Sequence, residues 1–427
     1  MRKQFYNYLW AYILVALSAC LGNVVDGIIV VNLISADAVS AIVISKPINQ
    51  FIFTLHLLIN AGAGMLVGYA LGRKDTTQAC SLFTRSLTLS VGLGMLLAVF
   101  GGLLWPDAIT RLLCSKEQLL PLASDYMRVL LIGSPAFILM WGLSTMVGVD
   151  GQPKLVSVAV IVDNVVNLLL DIVFIQWFGW GIAGSSAATV VGHLVGIAIL
   201  LAHWRKPSPL AFRFSHFSFR FKEILSQGAP LAIASICLTL LLFSSNSIIQ
   251  SAAGRTGIFA FALCMNLLQI YNLFISGTCQ TLQSLGATLV GQGDEEGLRS
   301  VLRRAFRFIT VAMVVICLVV WLFPQAIAAL FGAHEPELVL ESVHALRIFA
   351  LSFIPFSYIY VVMIVYKLRK NHRMALFISF ALSLTVIPVL WLTAHYAPSL
   401  LWYSYLIAYA IEALLIGLFH EIGKNRH

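Results

Sequence analysis

Acidic and amide side chains recur at helical spacing in a stretch that is otherwise apolar, residues 161–193. Four of them fall within an arc of roughly 100° when each residue turns a helix by about 100°: Asp163, Asn164, Asn167 and Asp171. A carboxylate at membrane depth costs on the order of 2.5–3.5 kcal/mol, and such a residue usually marks an ion or substrate path. The stripe therefore predicts a working site if these helices span a membrane.

The composition indicates that they do. Of 427 residues, 60% are hydrophobic and 11% are charged, whereas a water-soluble domain carries about 25% charged residues. Apolar runs close to the length of a membrane span recur along the chain. We therefore predict an all-α polytopic membrane protein with twelve transmembrane helices. The predicted spans are residues 8–32, 42–70, 85–105, 126–149, 154–177, 181–204, 224–250, 257–283, 306–323, 345–366, 373–393 and 400–420.

The net charge of +9 follows this topology. With a cytoplasmic N-terminus, the segments on the inner side carry 21 of the 27 Lys and Arg residues, as the positive-inside rule requires. We expect a multi-pass protein of the plasma or inner membrane with both termini cytoplasmic. The same distribution argues against nucleic-acid binding. The seven cysteines show no metal-ligand spacing and predict neither a disulfide framework nor a metal.

The two halves of the chain repeat each other. Residues 1–205 align with residues 222–420 at an offset of 218–220, which pairs Pro106 with Pro324. Because each half has six spans, the repeats run in parallel about a pseudo-two-fold axis along the membrane normal. The predicted domains are an N-terminal lobe of residues 1–204, a cytoplasmic linker of residues 205–222, and a C-terminal lobe of residues 223–427.

The second helix of each half carries a polar stripe. The members are Lys46, Asn49, His56 and Asn60 in the first half, and Asn266, Gln269, Ser276 and Gln280 in the second. Hydrogen bonds between helices would explain both stripes. The alternative is that they line a substrate cavity, to which Asp163 and Asn164 would also belong.

A count of helical rise brings four residues to one depth. At about 1.5 Å per residue, Asp26 in helix 1, Asn167 and Asp171 in helix 5 and Thr189 in helix 6 all fall in the outer third of the first half. They offer only hard oxygen ligands, which suit Na⁺, or a proton shared between the two carboxyl groups. Lys46 lies at similar depth and either pairs with Asp26 or extends outward along the bilayer.

Four sequence segments together resemble the multidrug and toxic compound extrusion (MATE) transporters. They are VVDGIIV in helix 1, GQPK before helix 5, NLLLDIVFI within it and GIAGSSAAT at the start of helix 6. The resemblance implies twelve helices in two lobes, and a cation site in the N-terminal lobe formed by Asp26, Asn167, Asp171 and Thr189. It also implies exchange of Na⁺ or H⁺ for organic, often cationic, compounds. Helix 1 departs from the family pattern because residues 8–31 contain no proline.

His193 and Glu412 are polar residues at equivalent positions of helices 6 and 12. They either extend a proton path or merely join helices. We predict a secondary antiporter that works by alternating access as a monomer, with a small organic substrate, the lipid bilayer around it and no cofactor beyond the coupling ion. The alternatives are a lipid-linked oligosaccharide flippase of the same superfamily and, less favoured, a membrane-embedded lipid-modifying enzyme.

Overall fold

The computed structural model describes residues 2–113, 119–205, 207–212, 221–330 and 335–424, and within them every regular element is a helix. Half of the predicted linker, residues 206 and 213–220, lies outside the described residues. The α-helices are α1 Arg2–Leu33, α2 Ala36–His56, α3 Gly62–Gly72, α4 Thr76–Leu96, α5 Pro106–Leu113, α6 Leu120–Ile132, α7 Ser134–Val149, α8 Pro153–Ile172, α9 Gly181–Leu201, α10 Lys222–Thr281, α11 Ala287–Gln292, α12 Glu295–Leu322, α13 Pro324–Leu330, α14 Pro336–Leu368, α15 His372–Leu384, α16 Val386–Tyr396 and α17 Ser404–Lys424.

Side-chain caps and special backbone angles set several helix boundaries. The hydroxyl of Ser35 accepts a hydrogen bond from the backbone of α2, and the carboxylate of Asp75 does the same for α4. These contacts satisfy donors that the first turn of a helix leaves without partners. Between α8 and α9 the chain turns at Gly179 and Gly181, whose φ angles are 67° and 57°. Glycine adopts these left-handed angles without strain.

The helices account for twelve membrane spans among the described residues. Ten continuous helical segments are long and apolar enough to cross a bilayer, and α6 with α7 forms one more span bent by 49°. The longest segment, Lys222–Gln292, is interrupted at Gly254, where φ is 56° and ψ is −142°. Because these angles are not helical, the segment counts as two spans.

The helices group into two compact units. The first unit comprises Met1–Ala229 and Gln283–Glu295, and the second comprises Pro230–Leu282 and Glu296–His427. The first unit therefore includes a short segment from the second sequence repeat. The predicted lobe boundaries at residues 204 and 223 stay a prediction.

That short segment is fixed in the first unit by backbone-to-backbone packing. A Cβ atom on Gly72 of α3 would lie 2.7 Å from Cα of Gly291 in α11, and a Cβ on Gly291 would lie 2.2 Å from the carbonyl oxygen of Tyr69. No side chain fits in such a space. The two glycines are the pair that the internal repeat aligns, so each half contributes the same small residue to one contact.

Candidate cation site in the first unit

The candidate site lies where α8 packs against α9 and α1, which are the most extensive helix contacts in the described chain. Small residues permit the close approach. A Cβ on Gly192 of α9 would lie 2.8 Å from the carbonyl oxygen of Asp163 in α8, and a Cβ on Gly22 of α1 would lie 2.8 Å from Oδ1 of Asn164. Polar side chains on α8 and α9 consequently meet directly.

These side chains form three pairs in antiparallel register, which we call the polar ladder. One helix contributes a residue every four positions, and the other does so in the opposite direction. The pairs are Asp171 with Ser185, Asn167 with Thr189, and Asp163 with His193. The three residues on α8 are buried.

Two carboxylates meet at the first pair. Asp171 is fully buried, and Asp26 of α1 lies within hydrogen-bonding reach of it. The hydroxyl of Ser185 lies near both and donates to Oδ1 of Asp26 over 3.4 Å. No donor among the described residues forms a hydrogen bond of acceptable geometry with either carboxylate oxygen of Asp171. Two carboxylates accept hydrogen bonds only, so they stay in contact when a proton or another cation lies between them.

The second and third pairs are formed by direct hydrogen bonds. Nδ2 of Asn167 donates to Oγ1 of Thr189 over 3.1 Å. One helical turn further along, Nδ1 of His193 lies 3.0 Å from Oδ1 and 2.9 Å from Oδ2 of Asp163. Both side chains of this third pair are nearly buried, with exposed fractions of 12% and 7%. The ladder thus contains three of the four residues predicted to bind the cation, Asn167, Asp171 and Thr189, and Asp26 of α1 meets it at Asp171. Asp163 and His193 form its other end.

The amino-acid sequence did not identify two of the residues at the site. Ser185 contacts the carboxylates directly, and Tyr126 of α6 lies within electrostatic range of both. The hydroxyl of Tyr126 also forms a hydrogen bond with Asn49. Asn49 is the member of the first polar stripe that reaches this neighbourhood.

The other members of the first stripe have different surroundings. Ser90 donates to Oδ1 of Asn60 over 3.0 Å, and Nδ2 of Asn60 contacts His56 and the carbonyl oxygen of Ile138. Both His56 and Asn60 are buried. Asn60 is hydrogen-bonded to two neighbouring helices of the first unit, as the hydrogen-bonding interpretation of the stripe predicts, whereas His56 bonds to Asn60 of its own helical segment. Lys46 is exposed, and no ion pair among the described residues joins it to Asp26.

The remaining candidates are distributed over both units. Nδ2 of Asn164 donates to Ser18 of α1 over 3.0 Å, next to the ladder. In the second unit, Gln280 donates to Ser276 over 2.8 Å. Asn266 and Gln269 are exposed on the same helix, and Glu412 is fully buried. A role for these residues in a substrate cavity or a proton path stays a prediction.

The ligand chemistry of the site is that of a proton or an alkali cation. The first two pairs offer carboxylate, amide and hydroxyl oxygens, which are hard ligands. Among the described residues no group of three or more His, Cys, Asp and Glu side chains has the arrangement that holds a metal ion. The predicted Na⁺ ligands are of a different kind, because Asp26, Asn167, Asp171 and Thr189 combine two acids with an amide and a hydroxyl.

Two known proteins resemble the chain, one along nearly its whole length and the other along about two thirds of it. A probable multidrug resistance protein, YoeA of Bacillus subtilis, is 24% identical over 421 residues, which are 95% of this chain and 90% of that protein. The multidrug export protein MepA of Staphylococcus aureus is 22% identical over 300 residues, covering 70% of this chain and 66% of its own.

The fold also has counterparts among solved structures. One is described as a MOP superfamily transporter from Pyrococcus furiosus, whose binding pocket has reverse polarity. The match covers 98% of this chain and 95% of the transporter's chain, with a TM-score of 0.89 and 21% sequence identity. This agreement confirms the predicted all-α, two-lobe membrane fold.

The family model named MatE matches the chain twice, at residues 11–173 and 230–392. The two matches are equal in length and are displaced by an amount within the 218–220 offset of the internal repeat. Together they cover most of the chain, including α1 and the α8 residues of the ladder. The chain therefore belongs to the MatE family of multidrug and toxic compound extrusion transporters, and it is a multi-pass membrane transporter rather than an enzyme.

Proposed function

We propose that this protein is a secondary antiporter that exports amphipathic, often cationic, organic compounds in exchange for Na⁺ or H⁺. One observation carries the proposal: the half-buried Asp26 and the fully buried Asp171 are in contact in the first unit. Neither forms an ion pair with a basic side chain among the described residues, and two such carboxylates in contact need a mobile cation. The names of YoeA and MepA, which refer to multidrug resistance and export, support the direction and the class of substrate.

The cation would bind through Asp26 and Asp171, with Asn167 and Thr189 held one helical turn away. Its binding would favour one arrangement of the transporter and weaken the affinity for the organic substrate. By linkage, the substrate would weaken cation binding by the same factor. The cation would enter from outside, and the organic substrate, loaded from the cytoplasm, would leave to the outside in exchange. Both termini would lie on the cytoplasmic side.

The contact between α1 and α8 gives this exchange a structural basis. Asp26 and Asp171 belong to different helices. Neutralising their mutual repulsion by a cation stabilises their contact, and loss of the cation destabilises it. The cation therefore changes the packing of α1, which is a change that alternating access can use.

Efflux of a fluorescent organic cation from proteoliposomes tests the proposal. The full chain is reconstituted, and a gradient of Na⁺ or H⁺ is imposed, one at a time. We expect Asp171→Asn to reduce gradient-driven efflux at least tenfold, because one of the two cation-binding carboxylates is gone. Asp75→Asn is the matched control, since Asp75 is an exposed cap of α4 and asparagine caps a helix equally well.

Wild-type rates in the Asp171→Asn variant would refute the cation site. Absence of gradient-driven efflux in the wild type, with both ions and several organic cations, would refute the antiporter itself. Labelled lipid-linked oligosaccharide in the same vesicles would then test the flippase alternative.

A further inference from the structure

The third pair of the polar ladder has the geometry of a proton-binding site. Nδ1 of His193 faces both carboxylate oxygens of Asp163 at 3.0 and 2.9 Å. An ionised carboxylate only accepts hydrogen bonds, so Nδ1 carries a proton and donates it. Asp163 thereby fixes the orientation and tautomer of the imidazole, as an orienting carboxylate does for histidines that transfer protons.

This orientation leaves Nε2 as the nitrogen that faces away from the carboxylate of Asp163 and carries the lone pair. His193 contacts the ring of Phe137, whose centroid is 4.4 Å away, and the ring of Trp141 at 6.2 Å. Among the described residues, the hydrogen bonds and ring contacts of His193 are those with Asp163, Phe137 and Trp141, and none of them uses Nε2. The imidazole is held in place with one nitrogen available.

The charged and titratable groups around His193 on each neighbouring helix are few. Asp163 is the one that α8 places against it. From α7 come the rings of Phe137 and Trp141, and Met140 lies nearby against Gly196; none of these side chains titrates. His56 of α2 lies on Trp141, with ring centroids 5.4 Å apart.

One acid of α1 and one phenol of α6 lie at the other end of the ladder. Asp26 of α1 and Tyr126 of α6 interact with Asp171. His193 and Asp163 therefore form one imidazole with one carboxylate, a pair that is neutral when His193 is protonated and negative when it is not.

We infer that Asp163 and His193 form a second proton-binding site in this transporter, and hence that its coupling ion is H⁺. The inference rests on the proposed antiporter function. A proton from the aqueous phase binds the Nε2 lone pair of His193 and forms an N–H bond, and on release that bond breaks and the proton returns to water while the electron pair stays on Nε2. No other bond forms or breaks.

Electrostatics connects the two sites. Asp171 and Asp163 are two turns apart on α8, which corresponds to about 12 Å at the rise of an α-helix. At an effective dielectric constant of about 20, a unit charge at that distance changes a proton affinity by about tenfold. A proton on His193 therefore weakens cation binding at Asp26 and Asp171 about tenfold, so that occupation of one site favours release from the other.

The pH profile of efflux tests the inference. Full-length protein is reconstituted in liposomes, and efflux of a fluorescent organic cation is measured from pH 5.5 to 8.5 with an H⁺ gradient of fixed size. We expect an approximately tenfold change in rate across this range in the wild type. We expect less than a twofold change in His193→Gln and in Asp163→Asn, with KM for the organic cation within twofold of the wild type. The double variant should lose nothing further, since the two residues act as a unit.

The matched control is another buried Asp–His pair of the same unit. His203 Nε2 lies 2.6 Å from Oδ2 of Asp150, with exposed fractions of 9% and 5%. His203→Gln breaks a comparable pair away from the ladder, and we expect it to keep the wild-type pH profile. If His193→Gln does not fold, Asp163→Asn provides the same comparison.

Two results would overturn the inference. One is an unchanged pH profile in either single variant of the ladder. The other is full wild-type efflux driven by a Na⁺ gradient after the H⁺ gradient has been collapsed. Both leave the proposed antiporter intact, since its failure would show instead as no gradient-driven efflux in the wild type.

Discussion

Gly192→Ala provides a sharp test of the polar ladder, because the space for the added methyl group is known. The new Cβ would lie 2.6 Å from Oδ1 and 2.8 Å from the backbone carbonyl oxygen of Asp163. Ordinary contacts begin near 3.4 Å, so α9 must move from α8 by about 0.6 Å even if the carboxylate rotates away. Rotation of the carboxylate itself breaks the hydrogen bond to His193.

The consequences can be calculated from the same distances. A displacement of about 0.6 Å lengthens the Asn167–Thr189 and Asp163–His193 contacts to about 3.7 and 3.5 Å, which is too long for a well-formed hydrogen bond. Overpacking costs about 1–3 kcal/mol, and the better helix propensity of alanine returns about 1 kcal/mol. We therefore expect a net loss of about 0–2 kcal/mol of stability, together with at least a tenfold loss of gradient-driven efflux.

The assay compares Gly192→Ala with Gly92→Ala in apparent melting temperature and in efflux from proteoliposomes. Gly92 is exposed on α4, and no atom lies within 4 Å of a Cβ built there. That variant should keep the wild-type rate and gain up to about 1 kcal/mol of stability from helix propensity. If Gly192→Ala transports as fast as Gly92→Ala, the close approach of α8 and α9 is not needed for coupling, and the ladder has no working role.

Two further predictions concern the second unit. Glu412 is fully buried, and neither of its carboxylate oxygens has a hydrogen-bond partner among the described residues. Because a buried polar group without partners is destabilising by about 1–3 kcal/mol, Glu412→Met should raise the apparent melting temperature. A lower melting temperature would show that the carboxylate forms hydrogen bonds in the protein. Arg255 and Glu335 form an ion pair at 3.0 Å, with exposed fractions of 77% and 60%. Because exposed ion pairs contribute little to stability, Arg255→Ala should leave the melting temperature unchanged. A clear decrease would show that the pair lies in a buried environment.

The amino-acid sequence predicted the membrane spans well, and it placed several residues of the polar ladder at one depth. Membrane spans are determined by local apolar content, so the twelve predicted segments correspond to the helices without knowledge of tertiary packing. The count of helical rise brought Asn167 and Asp171 to the level of Thr189, and the structure joins Asn167 to Thr189 by a hydrogen bond. The depth of a residue in the membrane depends only on its position along its own helix, so it can be estimated from the sequence.

What the sequence missed depends on which faces of different helices meet. The spacing of His56 and Asn60 shows that they share a face, but it does not show whether that face meets water or another helix; the structure places Ser90 there. Tyr126 is one of 13 tyrosines, and nothing local distinguishes it from the others. Ser185 was within reach of prediction, because antiparallel register about the turn at Gly179 and Gly181 pairs it with Asp171.

The internal repeat explains why only the first unit carries the ladder. At an offset within 218–220, the three ladder positions of α8 correspond to Leu382, Val386 and Leu390, and those of α9 correspond to Ser404, Ala408 and Glu412. All six are buried. The second unit therefore keeps buried helix faces at the corresponding positions but has apolar side chains where the first has Asp163, Asn167 and Asp171. Glu412 stands at the position of His193 with a leucine at the position of its partner, which accounts for a buried carboxylate that finds no donor in the described residues. A cation site of this kind needs polar side chains on both helix faces. The second unit has the corresponding buried faces, but one of them is apolar, so it lacks the oxygen ligands that a cation needs.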